Sequence, residues 1–198
     1  MSETSVTNEP RQLIVVDTET TGLHDDAAIL EVVAINVATG EELYFVPVLR
    51  RDDLGRAQGK AMMINRYFER GLFEVMLDDR QTAEYYQRLV AMLRGNTFGG
   101  CNPAFDAGLI KRQLTNTPWE FPRFPVGEVW HHRLADLAAY AGPALRLAPN
   151  ELVGLADICD RLGVRNEDPH TALGDARATA ECFRILTQHY ADAMEPAR

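Results

Sequence analysis

The chain has 198 residues, 46% of them hydrophobic, with a formal net charge of −9 and a pI near 5.0. That length supports one sizeable core and is too short for two ordinary domains, while the negative charge argues against a protein that coats or slides along a duplex through phosphate contacts. No apolar run approaches the ~20 residues of a membrane span, and the three cysteines, Cys101, Cys159 and Cys182, have no paired spacing that would suit a disulfide framework or a zinc knuckle.

Residues 1–11 are polar, lack the cationic and apolar pattern of an export leader, and read as a loose tail on a protein of the cytoplasm. One domain is expected over 12–192, with 193–198 as a C-terminal tail. A first strand is expected at Leu13–Asp17, then Ala28–Val37 and Glu42–Val48 as a hairpin turning at Ala38-Thr39-Gly40. Helices follow at Ala57–Glu69 and Arg80–Arg94, then a strand at Asn96–Gly100. The next helix, Pro103–Leu114, opens on a proline, whose missing N–H costs nothing at a first helical position. The stretch Thr117–Pro125 reads as a loop, and its Trp119, Phe121 and Phe124 suit packing against the domain more than stacking on bases. A fifth strand is expected at Val129–Leu134, where His131 and His132 would point to opposite faces and could not share an ion. Helices at Asp136–Ala141, Glu151–Leu162 and Ala172–Ala191 complete the order.

Chemistry enters with Asp17 and Glu19. Alternation along a strand sends both side chains to one face and Thr18 to the other. Two neighbouring carboxylates repel unless a proton or a divalent cation intervenes, so the pair reads as half of a metal site; its plainer reading is a solvated strand end. Asp106, in the first turn of the helix begun by Pro103, would lie beside that strand end. Asp175, early in the alanine-rich last helix, is the fourth acid.

His170 precedes Asp175 by five residues. At about 100° per residue, two helical side chains so spaced would diverge by roughly 140°. The histidine is therefore expected on the loop before the helix, after Pro169 and ahead of Thr171 as N-cap. Imidazole titrates near 6.5 as a side-chain type, which suits it to take a proton at neutral pH. His24 and His189 have no evident partners in the sequence.

The segments Asp-Thr-Glu-Thr-Thr-Gly-Leu (17–23), Asn-Pro-Ala-Phe-Asp (102–106) and His-Thr-Ala-Leu-Gly-Asp-Ala (170–176), in that order, resemble the three motifs of the DnaQ-like 3′–5′ exonucleases of the DEDDh group. The run Leu155–Gly163 resembles the helix that precedes the third motif. The resemblance spans nearly the whole chain and implies an α/β fold, a ribonuclease H-like mixed five-stranded sheet flanked by helices on both faces. It implies that Asp17, Glu19, Asp106 and Asp175 hold two Mg²⁺ or Mn²⁺ ions and that His170 is the general base. Oxygen ligands suit these hard ions, and two of them about 3.5–4 Å apart can bind the attacking water and the leaving oxygen of an in-line displacement. It also implies that Thr20, Thr21, Gly22, Leu23, Asn102 and Phe105 contact the terminal nucleotide, with the leucine wedged against the last base. Gly22 as plain strand-to-turn punctuation is the alternative. Thr171 stands where the tyrosine variant of the family has its tyrosine, so that variant does not apply. Cys101 replaces a histidine common in relatives and is expected to be a packing residue.

The expected substrate is a single-stranded or frayed nucleic-acid 3′ end, DNA ahead of RNA, shortened to nucleoside 5′-monophosphates. An RNA-trimming enzyme and a non-catalytic binding or polymerase-accessory module are the alternatives. Little follows the last helix, so a stand-alone enzyme is expected over one docked to a polymerase. Between Arg50 and Arg70, six cations, Arg50, Arg51, Arg56, Lys60, Arg66 and Arg70, outnumber the acids. This stretch reads equally as a rim for the strand or as a solvated helix face. Tyr67 and Phe68 beside it suit core packing, with a nucleotide contact as the alternative. Nucleotide-driven motors and serine hydrolases find no motif here.

Overall fold

The computed structural model describes residues 10–116 and 129–194. Strand β1 (Leu13–Thr20) lies centrally in a five-stranded sheet of order β3-β2-β1-β4-β5. On one side it pairs antiparallel with β2 (Ile29–Asn36), which continues antiparallel to β3 (Glu42–Phe45). On the other it pairs parallel with β4 (Thr97–Gly100), followed by the two-residue β5 (Ala135–Asp136). The direction of pairing thus changes at β1. In open α/β sheets the crevice beyond the carboxyl ends of the strands at a topological switch is where ligands bind.

Alternation divides β1 between two cores. Ile14 and Val16 pack with Val32, Phe98 and helices α3 (Asp79–Leu93) and α4 (Pro103–Asn116). Val15 faces the other way, with Val33 and Ile35, against α5 (Leu137–Leu145), α6 (Leu155–Leu162) and α7 (Ala172–Met194). Helices therefore cover both faces. Two short helices, α1 (Arg51–Gly55) and α2 (Gly59–Ile64), precede α3, and Met62 of α2 joins a third cluster with Leu30 and Tyr67. Among the described residues no helix is long and apolar enough to cross a membrane.

Several elements depart from the expected bounds. β1 runs on to Thr20, because β2 pairs with it as far as Ile29, so Glu19 sits within the sheet. The single helix expected at 57–69 forms only as α2 and then gives way to turns, while α1 is a short helix ahead of the expected bounds. Buried Asn65 competes with the helical ladder where α2 ends: its Oδ1 accepts from the Tyr67 N–H at 3.1 Å. β3 leaves its ladder after Phe45, where Val48 N–H turns to the Thr82 hydroxyl. α6 starts at Leu155, with Gly154 as N-cap.

The fifth strand does not form over the expected Val129–Leu134 and appears instead at Ala135–Asp136, since residues 129–131 hydrogen-bond the backbone only at the entrance to β4. His131 and His132 are consequently off the sheet. Their rings touch, with centroids 4.2 Å apart, rather than pointing to opposite faces. Asp136 caps α5, which runs past Pro143. The aromatic loop Thr117–Pro125 and most of both expected tails lie outside the described residues.

Candidate active site

Asp17 and Glu19 project from β1 on the side covered by α7, and Asp175 lies in the first turn of that helix. Ligand oxygens of the three carboxylates fall within 4.8 Å of one another. Asp106 reaches the same strand end from the opposite face. Its Oδ1 accepts from the Thr18 N–H at 3.0 Å and from the Thr18 hydroxyl at 2.7 Å, the side chain that alternation turns toward α4. The fold thus brings three acids into one cluster and sets the fourth beside it at the end of β1, anchored by the residue between the first two.

Charge crowding shows in the proton affinities. Burial, then Asp106, Asp175, Glu19 and Glu31, hold Asp17 well above the usual carboxylate range. Burial, with Asp175 and Glu31, pushes Glu19 up to about 8 against the lowering pull of Arg70. Asp106 rises to about 7 through burial, opposed by its bonds from Thr18. Asp175 is raised by burial too, offset by Asn166 and by the charge and backbone hydrogen bond of His170. Such a set can bind protons or hard cations, and a divalent ion would remove the repulsion that sustains these shifts.

His170 stands on the loop before α7, exposed, with φ of 60°, a left-handed backbone that costs a non-glycine residue of order 1–3 kcal/mol. Thr171 caps α7 by accepting from the Gly174 N–H at 3.0 Å, and its hydroxyl donates to the Asp168 carbonyl at 2.7 Å. A Cβ on Gly174 would lie 2.1 Å from that carbonyl. Only glycine at this position lets the histidine loop fold down on the helix.

Of the other expected contact residues, Leu23 is 80% exposed at the turn after β1. Gln58 holds that turn: its N–H donates to the Thr21 carbonyl and its Oε1 accepts from the Leu23 N–H. The Thr20 hydroxyl donates to the Gly22 carbonyl at 2.8 Å, and the Thr21 hydroxyl accepts from Ala28 N–H, so both serve the turn itself. Asn102 is exposed at φ 66°, ahead of Pro103, which opens α4. Phe105 is partly buried against the first core. Cys101 packs against the second core, where burial pushes its thiol up to about 12.

The basic stretch is largely neutralised. Arg50 pairs with Asp79, Arg56 with Asp53, Arg66 with Asp168 and Arg70 with Glu31. It is therefore less a free cationic rim than a set of clamps. Tyr67 is buried at 2% exposure, whereas Phe68 is 58% exposed with its ring edge-on to Tyr67.

Other residues near the site escaped the sequence reading. Glu31 is fully buried directly opposite Glu19, accepting two 2.6 Å bonds from Arg70 and one of 2.8 Å from the Tyr44 hydroxyl. Asn166 donates to Asp175 Oδ1 at 2.6 Å. For Glu31 a signal existed, a lone acid inside the apolar run Ile29–Asn36. Asn166 offered none.

The RNase T exonuclease family model matches residues 14–183. The chain belongs to that family, a DnaQ-like 3′–5′ exonuclease domain. Among solved structures, it resembles a zinc-bound complex of E. coli exonuclease I with single-stranded DNA, at 18% identity and a TM-score of 0.69, covering 92% of this chain and 42% of that one. Exonuclease I from the moderately thermophilic Methylocaldum szegediense gives 20% identity and a TM-score of 0.68, over 92% and 41%. E. coli exonuclease I with a dT13 oligonucleotide gives 16% and 0.62, over 93% and 42%. Identities so low establish a shared fold, and the exonuclease domain spans less than half the length of these chains. Among curated proteins none matches the chain in sequence.

Proposed function

We propose that this chain is a metal-dependent 3′–5′ exonuclease that releases nucleoside 5′-monophosphates from single-stranded or frayed ends, DNA ahead of RNA. The observation that carries the reading is the cluster of Asp17, Glu19 and Asp175 within 4.8 Å, with Asp106 fixed on Thr18 beside it. Membership of the exonuclease family and the likeness to exonuclease I bound to single-stranded DNA support the substrate class.

Two Mg²⁺ or Mn²⁺ ions fit this donor set, because the acids supply only hard oxygen ligands and hold raised proton affinities without a cation. Asp17, Glu19 and Asp175 would hold one, with Asp106 completing the site for the second. When bound, such ions supply Lewis-acid stabilisation of the attacking and leaving oxygens. His170 accepts the proton of the water that attacks the terminal phosphorus; the new P–O bond forms as the P–O3′ bond breaks, and the leaving O3′ takes a proton from solvent to become the new 3′-hydroxyl. Leu23, exposed on a turn pinned by Gln58, supplies an apolar face for the last base.

Digestion of 5′-end-labelled DNA and RNA of equal sequence, with Mg²⁺ or Mn²⁺, tests this. Stepwise shortening from the 3′ end, faster on DNA, is expected. Faster loss of RNA indicates a trimming exoribonuclease, and tight binding without products indicates a binding module.

A further inference from the structure

One short turn touches each part of the site. Residues 65–70 connect α2 to the rest of the third cluster, and three of their side chains reach outward in different directions. Asn65, 1% exposed, donates from Nδ2 to the Thr20 carbonyl at the end of β1, 3.2 Å away. Arg70 binds buried Glu31 on β2 and donates back to the Asn65 carbonyl at 3.1 Å. Between them Arg66, held at φ 53°, extends to Asp168 with Nη2 2.5 Å from Oδ1. That contact joins residues 102 apart in sequence, and Asp168 lies two residues before His170.

The loop side is equally connected. The Asp168 N–H donates to Asn166 Oδ1 at 3.3 Å, while Asn166 Nδ2 donates to Asp175. The Asp168 carbonyl takes the Thr171 hydroxyl and rests on Gly174. Asp168 is thus the residue where the histidine loop meets both α7 and the turn rooted in β1.

We propose that Arg66 is a positioning residue: through Asp168 it ties the His170 loop to the end of β1 and so sets where the imidazole stands relative to the acid cluster. This rests on the reading of His170 as proton acceptor. The two side chains are 46% and 58% exposed, and pairs so exposed contribute little to folding. Loss of this one would be felt in geometry rather than in stability, and a small misplacement of a reacting group is enough to slow chemistry.

The test compares Arg66→Ala, Arg66→Lys, Asp168→Asn and the swap Arg66→Asp with Asp168→Arg, using Mn²⁺ and a labelled oligonucleotide. Expected for Arg66→Ala and Asp168→Asn is a kcat about 10-fold lower, KM within about 3-fold, and an unfolding midpoint within about 4 °C of wild type. Lysine and the swap should recover most of the loss. Amide hydrogen exchange across 166–171 should accelerate in Arg66→Ala, whether or not the protein turns over. Unchanged kcat overturns the proposal, as does a raised KM at constant kcat, which would place Arg66 on the strand itself. So does a swap that fails to recover. Should wild type digest neither DNA nor RNA, the nuclease reading fails alone; exchange then decides the tie, and unchanged exchange overturns it.

Discussion

Arg70 and Arg66 leave the same turn and end in opposite surroundings. Arg70, 19% exposed, meets a Glu31 side chain with no exposure at all, whereas Arg66 and Asp168 are both about half exposed. The contrast extends to what each supports. The four acids stand on β1, α4 and α7, packed between two cores, so their mutual repulsion is imposed by the fold itself. His170 stands on a loop held by hydrogen bonds and by the solvent-facing Arg66–Asp168 pair. Fixed anions suit cation binding, and a loop-borne imidazole suits a group that must take up a proton and give it away. Framework and loop should therefore fail differently when altered.

The largest effect is expected from Asp17→Ala, which should lower turnover by about 10³-fold or more, since it removes the acid facing all the others. In chelator, the same variant should unfold at a higher temperature than wild type, because a buried like charge is gone; 3′-end digestion and thermal unfolding check the two halves. His170→Ala should cost about 10²–10⁴-fold in kcat while leaving Mn²⁺ affinity by calorimetry within a few-fold. Lost metal binding would mean that the loop belongs to the ligand set.

For the buried pair, Arg70→Ala should destabilise by about 3–5 kcal/mol in urea unfolding, as it strands a buried carboxylate. A cost equal to that of Arg66→Ala would erase the contrast. A further effect concerns pH. A carboxyl whose folded pKa lies above its unfolded value holds its proton more tightly when folded, so its stabilisation is complete below the unfolded value and is lost as pH rises through the folded one. For Glu19 that window runs from 4.5 to about 8, and Asp106 loses its share by about 7. Metal-free protein should melt progressively lower from pH 5 to 8, and the rise in melting temperature on adding Mn²⁺ should grow over the same range.

The framework was the more legible half. Alternation on β1 gave Asp17 and Glu19 a common face, Pro103 marked the start of α4, and Thr171 marked the cap of α7; each signal is local and rests on backbone geometry. What stayed hidden depends on partners far apart in sequence. Nothing near Glu31 announces Arg70, 39 residues on, and nothing near Asp168 announces Arg66. The helix expected at 57–69 hid those partners further. A continuous helix would have left Arg66 in solvent, whereas the Asn65 side chain ends it in a turn from which Arg66 and Arg70 leave in different directions. Asp106 was expected beside the strand end, but its approach through Thr18, from the opposite face, follows from the packing of α4 and from no spacing in the motif.

Anomalous diffraction from crystals soaked in Mn²⁺ and a nucleoside 5′-monophosphate tests the central claim most directly. The account predicts one peak among Asp17, Glu19 and Asp175 and a second beside Asp106, with the phosphate touching both and Asp17→Ala abolishing them. Manganese bound elsewhere, or absent from these carboxylates at saturating concentration, would contradict it.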